Sequence, residues 1–346
     1  MHKLFLSVFI LFSIVGAKGQ NDQVRLILER SYEVPGTSVR AIEPAGGSML
    51  YFAGSGGRIG RIAEGNMQLD SIEHEGRKPG FRSLAVNGGD IFVLSIENPA
   101  LLFKLPETPG SAAPVLVYRE DHDSVFYDSM LFINSREGIA MGDPTGPCLS
   151  ILITRDGGNS WFKVPCDGLP EVAEGEAGFA ASDTNIAVQG DTIWMATGGK
   201  RARVWRSTNK GLSWEAFETP IVQGQGMTGI FSMDFADANN GIIMGGNWED
   251  KEDNLLTKAV TRDGGKSWHL VAQGEIPGYI SCVQYVPGTG GREILAVSTQ
   301  GVFHSPDQGQ NWDRISEEGF YSLRFGEGGV LWMSRNNEIV RASLKE

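Results

Sequence analysis

The chain has 346 residues, a formal net charge of −12, Gly 46 and aromatics at 9%. An acidic chain without a Lys/Arg run is poorly suited to neutralising a phosphate backbone, which argues against nucleic acid as partner but leaves room for a local basic pocket. Abundant glycine with 41% hydrophobic residues suits a β-rich protein with many tight turns, and the repeats decide the number of domains.

His2 and Lys3 open the chain, an apolar run follows over residues 4–15, and Gly16, Ala17 and Gly19 end it. The run is short for a membrane span and carries small residues at its end. It reads as a signal peptide over 1–19, with a buried N-terminal helix as the alternative. Cleavage removes Lys3 and Lys18, takes the charge from −12 to −14, and implies a secreted or periplasmic protein without membrane insertion. No composition shift divides residues 20–346, which are expected to form one monomeric domain.

Seven units then follow, each opened by the pattern apolar, variable, small, apolar. The first begins at Val39-Arg40-Ala41-Ile42, after a possible strand at 24–29, and has a degenerate turn near 62–65. The second begins at Phe81-Arg82-Ser83-Leu84, with a degenerate turn over 106–113. The third begins at Tyr127-Asp128-Ser129-Met130 and continues through a strand at 139–142 to the turn Thr154-Arg155-Asp156-Gly157-Gly158-Asn159-Ser160-Trp161. Cys148 and Cys166 flank that turn almost symmetrically, which makes them a candidate disulfide. The fourth, with an irregular opening at Phe179-Ala180-Ala181-Ser182, reaches Ser207-Thr208-Asn209-Lys210-Gly211-Leu212-Ser213-Trp214. The fifth, also irregular, opens at Phe231-Ser232-Met233 and reaches Thr261-Arg262-Asp263-Gly264-Gly265-Lys266-Ser267-Trp268. The sixth runs from Ile280-Ser281-Cys282-Val283 to Ser305-Pro306-Asp307-Gln308-Gly309-Gln310-Asn311-Trp312. The seventh opens at Phe320-Tyr321-Ser322-Leu323, ends over 339–344, and lacks a fourth strand unless 24–29 supplies it.

The four turns share S/T-x-D-x-G-x-x-W, with starts 53, 54 and 44 residues apart, a period expected of four-stranded blades. Asp156, Asp263, Asp307 and, without the charge, Asn209 present an acceptor to turn amides. Glycine supplies a positive φ, and Trp161, Trp214, Trp268 and Trp312 pack back between sheets. These are structural roles. The expected fold is an all-β propeller of seven four-stranded antiparallel blades, with six or eight left open, closed by strands from both termini in one blade.

Through these boxes the chain resembles the BNR/Asp-box group, which includes sialidases, sortilin-type receptors and photosystem II assembly factors. Gly229-Ile230-Phe231-Ser232, the run Gly175 to Ser182 and Met141-Gly142-Asp143-Pro144 make it similar to the secreted bacterial branch of the last family. That resemblance implies a non-enzymatic binding platform, and nothing points to photosynthesis itself.

By analogy with other propellers, a ligand site belongs at one rim of the channel. Inner-strand starts bring Arg40, Arg82, Asp128 and Tyr321 there, with Glu176 just before the fourth. Loops bring Asp143, Lys200, Arg201, Arg203 and Trp248. Arg40 and Arg82 are placed to grip one carboxylate together, or to pair with Asp128 as a structural ion network. Lys200, Arg201 and Arg203 read equally as a solvated loop, and Trp248 as a recognition aromatic or a cover for a blade edge.

Two functions follow. The first is a platform for a protein, glycan or small anion. The second is a divergent sialidase-like glycoside hydrolase, which needs an arginine triad, an acid and a Tyr nucleophile activated by Glu. The Arg-Ile-Pro signature is replaced by Gly60-Arg61-Ile62-Ala63, and the alternation places Arg324 away from Arg40 and Arg82. No cofactor is implied: Gly224, Gly226 and Gly229 lead into a strand rather than a helix. Metal binding is not expected from three cysteines without CxxC and five scattered histidines. Cys282 reads as a buried free thiol.

Overall fold

The computed structural model describes residues 24–108 and 110–345, so the expected leader lies outside the described residues. Among the described residues the chain is all strand and turn, apart from one 3-10 turn at Glu327–Gly329. Alternation of apolar and small or polar residues gives each strand two faces. Because neighbouring sheets stack on both, strands such as Leu50–Gly54, Gly138–Gly142 and Ile294–Ser298 are buried along their whole length.

The strands pair into six antiparallel sheets forming a β-propeller, which corrects the expected seven blades to six. The units at the two ends of the chain are not separate sheets. Arg25–Pro44 pairs with Leu331–Lys345 from Arg25↔Lys345 to Ser38↔Asn336, then with Leu50–Gly54 from Val39↔Gly54 to Pro44↔Leu50. Hydrogen bonding thus runs unbroken from Ser322–Phe325 to Asn66–Ser71 in one six-stranded sheet. Counting repeats could not see that one strand serves both ends.

The four expected turns are built as hydrogen-bonded loops. The Thr or Ser hydroxyl accepts the N–H of Gly158, Gly211, Gly265 and Gly309 at 2.8–2.9 Å. Asp156, Asn209, Asp263 and Asp307 accept the amide four residues on at 2.8–3.0 Å. The tryptophans then fill the gaps between sheets: Trp161 packs on Phe92 and Phe132, while Trp268 packs against Phe235. Cys148 and Cys166 are joined by a disulfide, and Cys282 is free and buried.

The fourth inner strand is displaced. Residues 178–185 form no strand but cross the channel as an irregular plug between Glu176–Ala177 and Ile186–Gln189. Arg82 donates to Ala180 O (3.1 Å), Arg40 to Ala181 O (2.9 Å), and Arg324 to Ser182 O (3.0 Å) and Asp183 O (2.9 Å). Asp183 accepts the amides of Leu84 and Met130, and Thr184 bonds Ser232. Gly178 allows the crossing, since a Cβ there would lie 2.3 Å from an Asp128 oxygen. Gly229, at φ +136, faces Gly198 closely enough that a Cβ would fall 2.3 Å from its Cα.

Candidate functional site

The plug divides the channel into two mouths. One is a cavity of about 450 Å³ lined by Arg40, Arg82, Asp143, Ala180, Ala181 and an aromatic wall. Phe179 stacks on Phe231 at 3.9 Å, Tyr279 meets Phe231 edge-on at 4.8 Å, and Trp248 meets Tyr279 edge-on at 5.3 Å. Met227 completes this wall, and its carbonyl receives the Trp248 amide. The other mouth, about 370 Å³, holds Glu43, Asp183, Asp234 and Arg324. Arg324 therefore opens to the opposite mouth from Arg40 and Arg82, as its alternation parity indicates.

The two arginines are not the free grips of one expectation, and neither bonds Asp128 as the structural ion network would have it. Each commits one terminal nitrogen to a plug carbonyl while lining the cavity, and Arg40 Nε is buried without a partner. Burial lowers the Arg40 pKa to about 10, with the Arg82 charge adding to it, and burial lowers Arg82 as well. Both remain cationic at neutral pH. Tyr321 lies under Arg40, with the guanidinium 4.0 Å from the ring centre, so it supports the arginine rather than facing a ligand.

Asp128 is completely buried, with neither oxygen hydrogen-bonded. Burial first, and then the neighbouring Asp143, push its carboxyl well above the usual range, while Arg82 opposes them. Asp143 lines the cavity, accepts the Gly178 amide at 2.7 Å, and is raised to about 6 by burial.

Of the remaining predicted residues, Glu176, Lys200, Arg201 and Arg203 lie outside this cavity. Both Glu176 oxygens are occupied, by Arg203 at 2.5 Å, Thr197 at 2.7 Å, the Ala173 amide at 2.9 Å and Trp205 at 3.0 Å. Burial raises the Glu176 pKa, but these donors outweigh it and hold the carboxylate below its ordinary value. Arg203 is consumed in that pair. Lys200 and Arg201 form exposed pairs with Glu174 and Glu218, which matches the solvated-loop alternative. Trp248 does line the cavity, and Lys251 sits 4.0 Å from its ring centre.

Sequence reasoning missed the wall of Phe179, Met227 and Tyr279 and the plug itself. Aromatic residues at or just before three successive inner-strand openings were the available signal for the wall. The irregular fourth opening was the signal for the plug. Among the described residues no helix is long and apolar enough to cross a membrane, and no group of three or more His, Cys, Asp or Glu is arranged to hold a metal.

No family model matches the chain, and no curated protein matches it. Solved structures share the fold. A structure titled "YCF48 bound to D1 peptide" is 11% identical with TM-score 0.64, covering 91% of this chain and 96% of that one. The WD40 β-propeller domain of Doa1 is 10% identical with TM-score 0.63, covering 92% and 96%. A virginiamycin B lyase from Staphylococcus aureus with quinupristin is 10% identical with TM-score 0.61, covering 93% and 99%. At these identities the likeness extends to the propeller architecture, which hosts binding modules and enzymes alike.

Proposed function

We propose that the protein is a non-enzymatic platform that binds a protein segment at the Arg40–Arg82 mouth. A carboxylate of the segment sits on the two guanidinium groups, and an apolar side chain rests against Phe231, Tyr279 and Trp248. The observation that carries this reading is the pairing of two half-buried arginines, each with one terminal nitrogen committed to the plug, with an aromatic wall in one cavity of about 450 Å³. Rigid aromatic and arginine anchors dominate binding energy at protein interfaces, and charge-assisted bonds are the stronger polar contacts. The propeller titled as bound to a D1 peptide gives a precedent for peptide binding on this architecture.

The glycoside hydrolase alternative has less support, because Glu176 is saturated by Arg203 and its neighbours and has no lone pair directed at a tyrosine. Action outside the cytoplasm is part of the proposal. Its support is the apolar leader and the Cys148–Cys166 disulfide, which suits an oxidising compartment.

The test is calorimetric titration with blocked peptides pairing a glutamate and a phenylalanine. Changing the peptide's glutamate to glutamine should weaken binding about tenfold or more, as expected for hydrogen bonds to charged groups. Arg40→Gln, checked for unchanged thermal unfolding, should erase that difference. Equal binding of acid and amide, or turnover of a fluorogenic sialoside, would overturn the proposal.

A further inference from the structure

A second cavity of about 530 Å³ adjoins the first and shares Asp143 and Ala177 with it. The remainder of its lining is Ser124, the loop from Pro144 to Pro147 and the stretch from Val172 to Glu176, and its charged groups are all acids: Asp143, Glu174 and Glu176. Two of these are already matched. Glu176 is closed by Arg203, and Glu174 holds Lys200 at 2.8 Å on the exposed edge. Asp143 is different. Its hydrogen bond is to the Gly178 amide, and among the described residues no cation lies within ion-pair distance of it. Behind it, Asp128 is fully buried with both oxygens unpartnered, and the Gly178 backbone lies against both carboxyls.

A cavity lined by Arg40 and Arg82 and a cavity whose acids are otherwise paired thus share one carboxylate without a cation partner. We propose that the platform recognises an amphoteric protein segment, whose carboxylate lies on Arg40 and Arg82 while a lysine or arginine a short distance along the same segment crosses Ala177 and pairs with Asp143. This rests on the platform reading and specifies its partner. The chain is strongly acidic, so a segment carrying only acids meets long-range repulsion that a neighbouring cation offsets. A purely basic segment would meet the half-buried arginines instead. The combination selects for both charges in one order and spacing, which neither cavity does alone.

Asp143→Asn is the informative variant, because its amide oxygen still accepts the Gly178 N–H and the side-chain volume is unchanged. The probes are blocked tetrapeptides of composition Lys-Gly-Phe-Glu in both directions, each with a counterpart in which norleucine replaces lysine. Fluorescence anisotropy at low salt should show one direction binding wild type about fivefold tighter than its norleucine counterpart, a size in line with a partly buried ion pair. In Asp143→Asn the lysine and norleucine peptides should bind alike, at the wild-type norleucine affinity. Equal affinity of the two on wild type, or a lysine preference that survives in Asp143→Asn, overturns the inference and leaves the carboxylate site standing. Absence of binding by every peptide overturns both.

Discussion

Asp183 is the pivot of the plug, and replacing it tests whether the plug is a load shared by the sheets or a loop lying passively in the channel. Its two oxygens accept the amides of Leu84 at 2.9 Å and Met130 at 3.0 Å, from the second and third sheets. Its backbone sits at φ +59, a region that Asp tolerates better than Ala. Asp183→Ala leaves two buried amides without acceptors, at about 1–3 kcal/mol each, and adds backbone strain of about 1 kcal/mol. The expected loss is about 3–7 kcal/mol, a large share of the roughly 5–15 kcal/mol of a typical domain. Asp183→Gly removes the acceptors but relaxes the backbone, so it should be about 1 kcal/mol less damaging. Burial raises the Asp183 carboxyl to about 7 despite Arg324, so it contributes stability below its unfolded value that is lost as pH rises through 7. The stability difference between wild type and either variant should therefore shrink between pH 5 and pH 8. Urea unfolding at several pH values measures all three quantities. A loss under 1 kcal/mol for Asp183→Ala would refute the account of the plug as a hydrogen-bonded tie.

Other consequences follow from the same structure. Asp143, raised to about 6, should lose its charge on acidification, so binding of a lysine-bearing peptide should weaken from pH 7.5 to pH 5. Asp128, Arg82 and Arg40 surround it, and titration of Asp143→Asn checks that the effect belongs to this carboxylate. Trp161→Ala should cost about 3–5 kcal/mol by opening a cavity between the second and third sheets, seen as a lower urea midpoint with an unchanged slope. Replacing Cys148 and Cys166 together by serine opens a bridge with a sequence separation of 18 and should cost roughly 3 kcal/mol, with loss of the reductant sensitivity of wild-type unfolding. Gly178→Ala should force Asp128 and the plug apart, abolishing carboxylate-dependent peptide binding while the outer turns keep their amide protection in hydrogen exchange.

The turns were legible because their chemistry is local. Thr154, Asp156 and Gly158 bond to one another within a few residues, and so do the equivalent residues at 207–211, 261–265 and 305–309. Arg40 and Arg82 were legible as neighbours because repeats at equal phase put equivalent positions side by side. Strand period and repeat spacing carry no information on where one sheet stops, so the six-sheet count emerged from the pairing of Arg25–Pro44 with Leu331–Lys345.

The candidate site depends on the same distinction. Lys200, Arg201 and Arg203 stood together in sequence, yet Glu174, Glu218 and Glu176 took them into separate ion pairs. The amino-acid sequence by itself determined the propeller, its turns and the charged character of the channel rim, since each follows from contacts within a repeat. Only the tertiary structure decided that residues 178–185 leave their sheet, fill the axis and turn Arg40 and Arg82 into both struts and donors. That choice rests on hydrogen bonds to residues roughly a hundred or more positions away, such as Leu84 and Arg324, and no local pattern encodes which distant carbonyl an arginine will meet.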